Sequence, residues 1–182
     1  ALLRPNVAHV VTGGLGALGT AVIGMLLSDE SSLGCTILVI GRRRSEEIES
    51  QFKGFGWGHR VAYASVELGS DQAALSAALT THLDQSGQAL GTIFHLAGSF
   101  SRMPLADLAA GADDDDTSNA SLDAATCAKV WGAIHLHRAA AELQQRPAFV
   151  HFGSVATVYA GTGLGAYAAA NAFLAWFAQW QR

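Results

Sequence analysis

The residues best suited to chemistry lie near the end of the chain, between Phe149 and Asn171. A mostly apolar run, Ala148 to Phe152, reads as a short buried strand and stops at Gly153-Ser154. A glycine-rich loop with Gly161, Gly163 and Gly165 follows. Tyr167 then opens an alanine-rich helical segment that carries Asn171 four residues later. Positions i and i+4 share a helix face, so the Tyr167 hydroxyl and the Asn171 amide can line one wall. Ser154, at a strand's carboxyl end, faces that helix across the edge where ligands of open α/β sheets bind. A Ser, a Tyr and an Asn around such a crevice can polarise a carbonyl and deliver a proton to it. The same residues also fit a plainer role, with the hydroxyl capping a turn and the Tyr packed on the core.

A second cluster sits near the start. Gly14-Leu15-Gly16-Ala17-Leu18-Gly19 fits G-x-G-x-x-G, follows a strand and opens a helix. The glycines permit a tight turn and close backbone approach, and the helix N-terminus favours a pyrophosphate. A structural turn or another nucleotide binder can also carry this pattern, but its setting points to a dinucleotide. About 20 positions further on, an NAD site tends to place an acid for the ribose hydroxyls. Here the second strand ends Ile40-Gly41-Arg42-Arg43-Arg44 instead. A cationic cluster without the acid suits the 2′-phosphate of NADP, which Arg grips at two points. The alternative is a solvated basic turn balanced by the Glu residues that follow. The missing acid also argues against a methyltransferase.

These clusters need a frame, and the chain supplies it by alternating strand and helix. Strands are expected at Val7 to Val11, Thr36 to Ile40, Arg60 to Ser65, Thr92 to Leu96 and Ala148 to Phe152. Helices are expected at Thr20 to Leu27, Asp71 to Leu83, Leu122 to Leu143 and from Tyr167 onward. Ser45 with Glu46, Glu47 and Glu49 reads as a capped, acid-rich helix start. Short apolar strands alternating with helices imply an α/β, Rossmann-like, doubly wound parallel sheet flanked by helices. Ser99 to Ala120 breaks the alternation and reads as a polar surface loop. Its four consecutive Asp suit solvent better than a metal, because clustered neighbours cannot all turn inward. The chain stops at Trp180-Gln181-Arg182, inside or just after the last helix. An open sheet of this kind usually continues with another strand, so the expectation is a C-terminally truncated segment of a longer polypeptide.

Composition bounds the rest. A chain of 182 residues, half of them hydrophobic and 14% charged, fits one compact domain with a real core. A net charge of −4 gives no footprint for nucleic acid or an anionic membrane. No apolar run approaches the ~20 residues of a membrane span. Cys35 and Cys127 form no motif, which suits a reducing compartment, and a cytoplasmic setting is expected. His135 and His137, two apart on a helix, make a poor metal pair, and no metal is expected. Trp131, Trp176 and Trp180 are read as helix-packing residues.

Four segments carry a family resemblance: Thr12-Gly-Gly-Leu-Gly-Ala-Leu-Gly19, Phe94-His-Leu-Ala-Gly98, Ala128-Lys129-Val-Trp-Gly-Ala133, and Gly153-Ser154 through Tyr167-xxx-Asn171. Together they resemble the ketoreductase domain of modular polyketide synthases, a branch of the short-chain dehydrogenase/reductase superfamily. Most of that superfamily follows the Tyr with Lys four residues later. Here Asn171 takes that slot and Lys129 lies upstream, which resembles the swapped arrangement of polyketide and animal fatty acid synthase ketoreductases. Ser154 stands thirteen residues before Tyr167, the spacing of that group.

The resemblance implies a function and roles. Residues 1–182 would be the catalytic, NADPH-binding segment of a multidomain chain, beside a structural ketoreductase half and other synthase domains. NADPH would deliver hydride to the β-keto carbon of an acyl thioester held on an acyl carrier protein. Tyr167 would donate the proton. A free Tyr has a pKa of about 10, so a cation is needed nearby, and Lys129 is the candidate. Ser154 would hydrogen-bond the substrate oxygen. Asn171 would position Lys129 or a relay water. Thr12, Gly14, Leu15, Gly16, Leu18, Gly19, Arg42, Arg43, Ser65, Val66, Ala97 and Gly98 would meet the cofactor.

Departures from the family pattern limit what this carries. Ser65-Val66 stands where the family often has Asp-Val at the adenine. Phe100-Ser101-Arg102 stands where one stereochemical class has Leu-Asp-Asp, which disfavours that class. Tyr159 occupies the slot, eight residues before Tyr167, where the other class often has Trp. Two rivals remain: an α-ketoacyl reductase of a peptide-synthetase module, which would share these active-site residues, and a non-reducing structural or epimerising domain, against which the presence of Tyr167, Lys129 and the glycine motif argues.

Overall fold

The computed structural model describes residues 3–44, 48, 54, 56–100, 102, 126–159 and 161–182. The expected helix start at Ser45 to Glu49 lies outside the described residues, as do the Asp run and most of the polar loop after Ser99. Five strands form one sheet: β1 (Ala8–Thr12), β2 (Thr36–Gly41), β3 (Val61–Ser65), β4 (Leu90–His95) and β5 (Ala148–His151). Their spatial order is β3-β2-β1-β4-β5, and every neighbouring pair is parallel. Among the described residues the α-helices are α1 (Ala17–Ser28), α2 (Gln72–Ser86), α3 (Gly132–Glu142) and α4 (Gly165–Trp180).

Alternation along the strands divides two cores between the faces of the sheet. Val10, Leu38, Ile40 and Ile93 pack with Leu75 and Leu79 of α2 and with Leu136, Ala139 and Ala140 of α3. Val11, Ile37, Val39 and Phe94, their neighbours in sequence, pack instead with Ile23 and Leu26 of α1. Side chains of a strand point to opposite faces with period two, so helices on both sides require strands that are apolar throughout. α4 docks on α3 through Leu174 and Phe177 against Ala133.

Helix ends follow local chemistry. The Asp71 carboxylate accepts the Ala74 amide at 2.9 Å and caps α2, and Gly87, with φ of 63°, closes it. The N-cap of α1 is Gly16, which offers no capping side chain. Strand and helix limits differ from the sequence expectation by a few residues. α4 begins at Gly165 rather than at Tyr167, because the chain can enter the helical turn before the aromatic. β5 ends at His151, so Phe152 lies just beyond the ladder. The helix expected over Leu122 to Leu143 is described only from Thr126, and its turn Cys127–Trp131 is a π turn. Among the described residues, no helix is long and apolar enough to cross a membrane.

The strand order reverses between β1 and β4, the position where open sheets of this type leave a crevice at the carboxyl ends. Thr12 and His95, the last residues of those strands, are register partners. The glycine cluster and Ala97-Gly98 therefore emerge side by side. One glycine has no such duty. Gly24 lies on the exposed side of α1, and a Cβ there would meet nothing within 4 Å. Gly24→Ala is expected to raise the unfolding free energy by about 0.5–1 kcal/mol in urea denaturation. A loss of stability would show that this face of α1 is covered.

Candidate active site

The glycine cluster builds a cradle that larger residues would fill. Gly13 adopts φ of +68°, and a Cβ on it would lie 3.0 Å from the Ala97 amide nitrogen. A Cβ on Gly19 would overlap the Gly14 backbone, so α1 can approach β1 only with glycine there. The Gly13 amide donates to the Ile40 carbonyl and the Gly16 amide to the Gly13 carbonyl, each at 3.0 Å. With no side-chain cap at Gly16, the first amides of α1 remain open to an anion.

Beside this cradle lies a cavity of about 290 Å³, lined by Gly13 to Gly16, Arg42, Arg43, Val66, Ala97 and Gly98 among others. Arg42 and Arg43 are exposed at its rim. The Tyr63 hydroxyl donates to the Arg43 carbonyl at 2.7 Å and fixes the turn that carries both. Ser65 does not line the cavity. It is exposed, and its hydroxyl reaches the Arg42 carbonyl at 3.5 Å. Val66 does line it, held by its amide to the Gly41 carbonyl at 2.8 Å. Glu67 is the acid here. It lines the cavity, and its carboxylate stands 3.9 Å from the Arg42 guanidinium. Both side chains are largely solvated, so the pair adds little stability, but it sets the charge pattern of the rim.

A second cavity, about 500 Å³, shares Gly13, Gly16, Ala97 and Gly98 with the first and continues to Lys129, Phe152, Gly153 and Tyr167. Leu18 and Gly19 line this part. A crevice running past a glycine cradle from two exposed arginines to a Lys and a Tyr can hold a dinucleotide. Thr12 lies beneath it, fully buried, with its hydroxyl accepting the Ala97 amide at 3.1 Å.

Lys129 enters the crevice from the π turn and is 5% exposed. Its stem crosses Gly98, where a Cβ would lie 2.8 Å from the Lys129 Cε. Its ammonium donates to the Phe152 carbonyl at 3.0 Å and stands 5.9 Å from the centre of the Tyr167 ring. Burial pushes its pKa below the usual lysine value. Phe100 meets the Tyr167 ring edge-on, with centroids 5.3 Å apart. Ser154 caps a short 3-10 turn, its Oγ accepting the Ala156 amide at 3.2 Å. Among the described residues that hydroxyl hydrogen has no acceptor, so it is free to donate.

Asn171 shares the Tyr167 face of α4 but does not line the crevice. Fully buried, it donates its amide back to the Tyr167 carbonyl at 2.7 Å, while its Oδ1 has no partner among the described residues. The short polar side chain bonds its own helix, a standard competitor of tertiary contacts. The expected shared wall is thus one residue deep.

Sequence reasoning missed several contributors. Glu67 lies only two residues beyond Ser65, within reach of the sequence pattern. The Phe152 carbonyl, the Phe100 contact and the π turn carry no sequence signal, since each depends on where another element stops or packs. His135 and His137 do diverge: the first meets the Leu68 carbonyl at 2.8 Å, the second the rings of Phe149, Phe177 and Trp180. Trp131, Trp176 and Trp180 touch neighbouring rings yet stay about half exposed, so they are not core residues.

The model of the KR domain family matches residues 7–182. Polyketide synthase GfsA of Streptomyces halstedii is 34% identical over 91% of this chain, which spans 2% of that protein. Erythronolide synthase EryA3 of Saccharopolyspora erythraea is 30% identical over 93% of the chain, which spans 5% of that protein. This chain thus resembles a small part of each. An A1-type ketoreductase structure is 31% identical, with a TM-score of 0.69 over 94% of this chain and 34% of its own.

Burial also sets an acid limit. His9, His82, His95 and His151 all have pKa values lowered by desolvation, His95 to about 3 with a further push from His151 and Lys129. Each takes up a proton more readily unfolded than folded, so the stability it contributes is complete above about pH 6.5. That stability drains as pH falls from 6.5, for His95 down to about 3. His95 alone gives a slope of about 1.4 kcal/mol per pH unit. Urea midpoints at pH 7.5, 6.0 and 5.0 should fall steeply below 6.5. A flat profile would mean that these rings are not held neutral.

Proposed function

The chain belongs to the KR domain family, and from that premise we propose that it reduces a β-ketoacyl thioester, carried on an acyl carrier protein, to the β-hydroxyacyl thioester with NADPH. The observation that carries this reading is the pairing of a buried Lys129 ammonium with the Tyr167 ring beside the glycine cradle. When bound in the crevice, NADPH supplies the hydride. Everything else is work for the chain's own residues.

The Ser154 hydroxyl, its rotamer fixed by the Ala156 amide, donates to the substrate carbonyl oxygen as negative charge develops there. Tyr167 holds the proton that this oxygen receives, so the carbonyl becomes a hydroxyl and a phenolate remains. Lys129 favours that phenolate electrostatically, and a solvent proton then restores the Tyr. The Phe152 carbonyl keeps the ammonium in range, and Phe100 restricts the swing of the Tyr167 ring. Asn171 holds the first turn of α4 and leaves a buried acceptor beneath Tyr167, suited to a water that feeds the proton back.

At the other end, the amides of the glycine cradle take the pyrophosphate, with Thr12 and Ala97 holding the cradle's shape. Arg42 and Arg43 take the 2′-phosphate, Arg42 exchanging its weak Glu67 partner for it. Leu15, Leu18 and Val66 give apolar walls. A carrier protein and neighbouring synthase domains are the partners of this reading, which is supported by the chain's similarity to a small part of much longer synthases.

Two variants of the full-length chain test this, with NADPH oxidation followed on a short β-ketoacyl thioester. Tyr167→Phe should lower turnover by about 10²–10⁴-fold while NADPH binding stays intact. The double change Arg42→Ala with Arg43→Ala should raise the KM for NADPH at least about tenfold and leave NADH unaffected. Turnover of α-keto thioesters alone would select the peptide-synthetase alternative. A parent that binds no NADPH would leave a structural domain.

A further inference from the structure

We propose that His95 is a positioning residue: its imidazole struts the glycine-loop end of β1 against the backbone of Lys129 and so fixes where the Lys129 ammonium sits. The claim rests on the reading that Lys129 assists Tyr167.

His95 is the last residue of β4 and has no exposed surface. Its two ring nitrogens are both engaged, in opposite directions. Nδ1 lies 2.9 Å from the Thr12 hydroxyl, and Nε2 lies 3.2 Å from the Lys129 carbonyl oxygen. A carbonyl can only accept, so Nε2 carries the proton and Nδ1 is bare. The Thr12 hydroxyl must then donate to Nδ1, while its oxygen accepts the Ala97 amide. Every hydrogen in this chain from Ala97 to Lys129 has one direction. A neutral imidazole is the only charge state that satisfies it, and burial supplies that state.

The strut meets Lys129 at an unusual place. Cys127–Trp131 is a π turn, a geometry that is rare and concentrated at functional sites. Gly132, directly after it, lets the ring in, since a Cβ there would come within 3.3 Å of the His95 Cε1. The far end of Lys129 is tied to the same residue by another route. Its ammonium donates to the Phe152 carbonyl, and the Phe152 amide donates to the His95 carbonyl at 3.1 Å. Backbone and side-chain ends of Lys129 are thus both referred to His95. Among the described residues, the titratable groups facing the ring are Lys129 from the π turn and His151 from β5, whose ring centre is 5.9 Å away.

Two substitutions in the full-length chain separate the arms of the strut. His95→Gln keeps a donor near the Nε2 position, toward Lys129, whereas His95→Asn keeps a group only near Nδ1, toward Thr12. The expected result is a kcat within about fivefold of the parent for Gln. For Asn, kcat falls at least tenfold, its pH profile moves by at least half a unit, and NADPH Kd stays within about threefold. Nitrogen-15 NMR supplies readouts that need no turnover. The parent should show an Nε2–H tautomer that does not titrate between pH 5 and 8. The Lys129 ammonium titration should move in the Asn variant and stay near the parent in Gln. Equal losses in both variants that follow thermal stability, with pH profile and Lys129 titration unchanged, would overturn the proposal and leave His95 as core filling. A parent that shows the tautomer and the Lys129 shifts but reduces no ketone would uphold the strut and remove the ketoreductase reading.

Discussion

An ammonium group inside a protein persists only where carbonyls and ring faces replace the water it has lost. Lys129 meets that condition through one strong acceptor, the Phe152 carbonyl, and through the face of Tyr167. Much of the surrounding geometry is the consequence. β5 ends at His151, which leaves the next carbonyl outside the ladder and able to accept. Gly98 carries no side chain because the lysine stem crosses it. The π turn delivers the side chain to the crevice, and the helix regains its regular course only at Gly132. A single buried charge thus constrains a strand end, a helix and a loop at once.

The sheet makes this convergence possible. Parallel strands place all their carboxyl ends on one side, and reversal of strand order at β1 opens a crevice between two of them. Apolar strands buried on both faces hold those ends rigidly, with separate helices covering each face. The crevice has two unlike ends. Near β2 it is open, cationic and solvated, with Arg42 and Glu67 weakly paired. Near β5 the Lys129 charge is buried, and Phe100 and Tyr167 make the wall aromatic. A ligand gripped by phosphate at the first end would have its reactive part delivered to the second, where directed donors stand beside a buried ammonium.

The fold was legible because its signals are local and repeated. Mostly apolar strands separated by helical stretches have one economical arrangement, and the five strands lie within a few residues of their expected positions. The glycine cluster was legible for a related reason: close approach and positive φ exclude side chains, so the requirement is written in the residue type itself. Ser154, Tyr167 and Asn171 could be picked out as a group because they flank one strand end and one helix face.

What the sequence determined alone was the kind of crevice and the residue types around it. Tertiary structure decided how those residues are held. Asn171 was read as lining the wall with Tyr167, yet its amide turns to its own helix, a choice made by burial that no spacing reveals. The family pattern puts the adenine-end acid in the slot of Ser65, but the chain leaves β3 so that Glu67 faces the cavity. Lys129, His95 and Thr12 are far apart in the chain, and nothing in their separate surroundings links them. Their hydrogen bonds exist because strand register puts Thr12 beside His95 and helix packing brings the π turn onto both. Periodicity records what each segment buries, whereas contacts between segments are fixed only when their ends are brought to one edge.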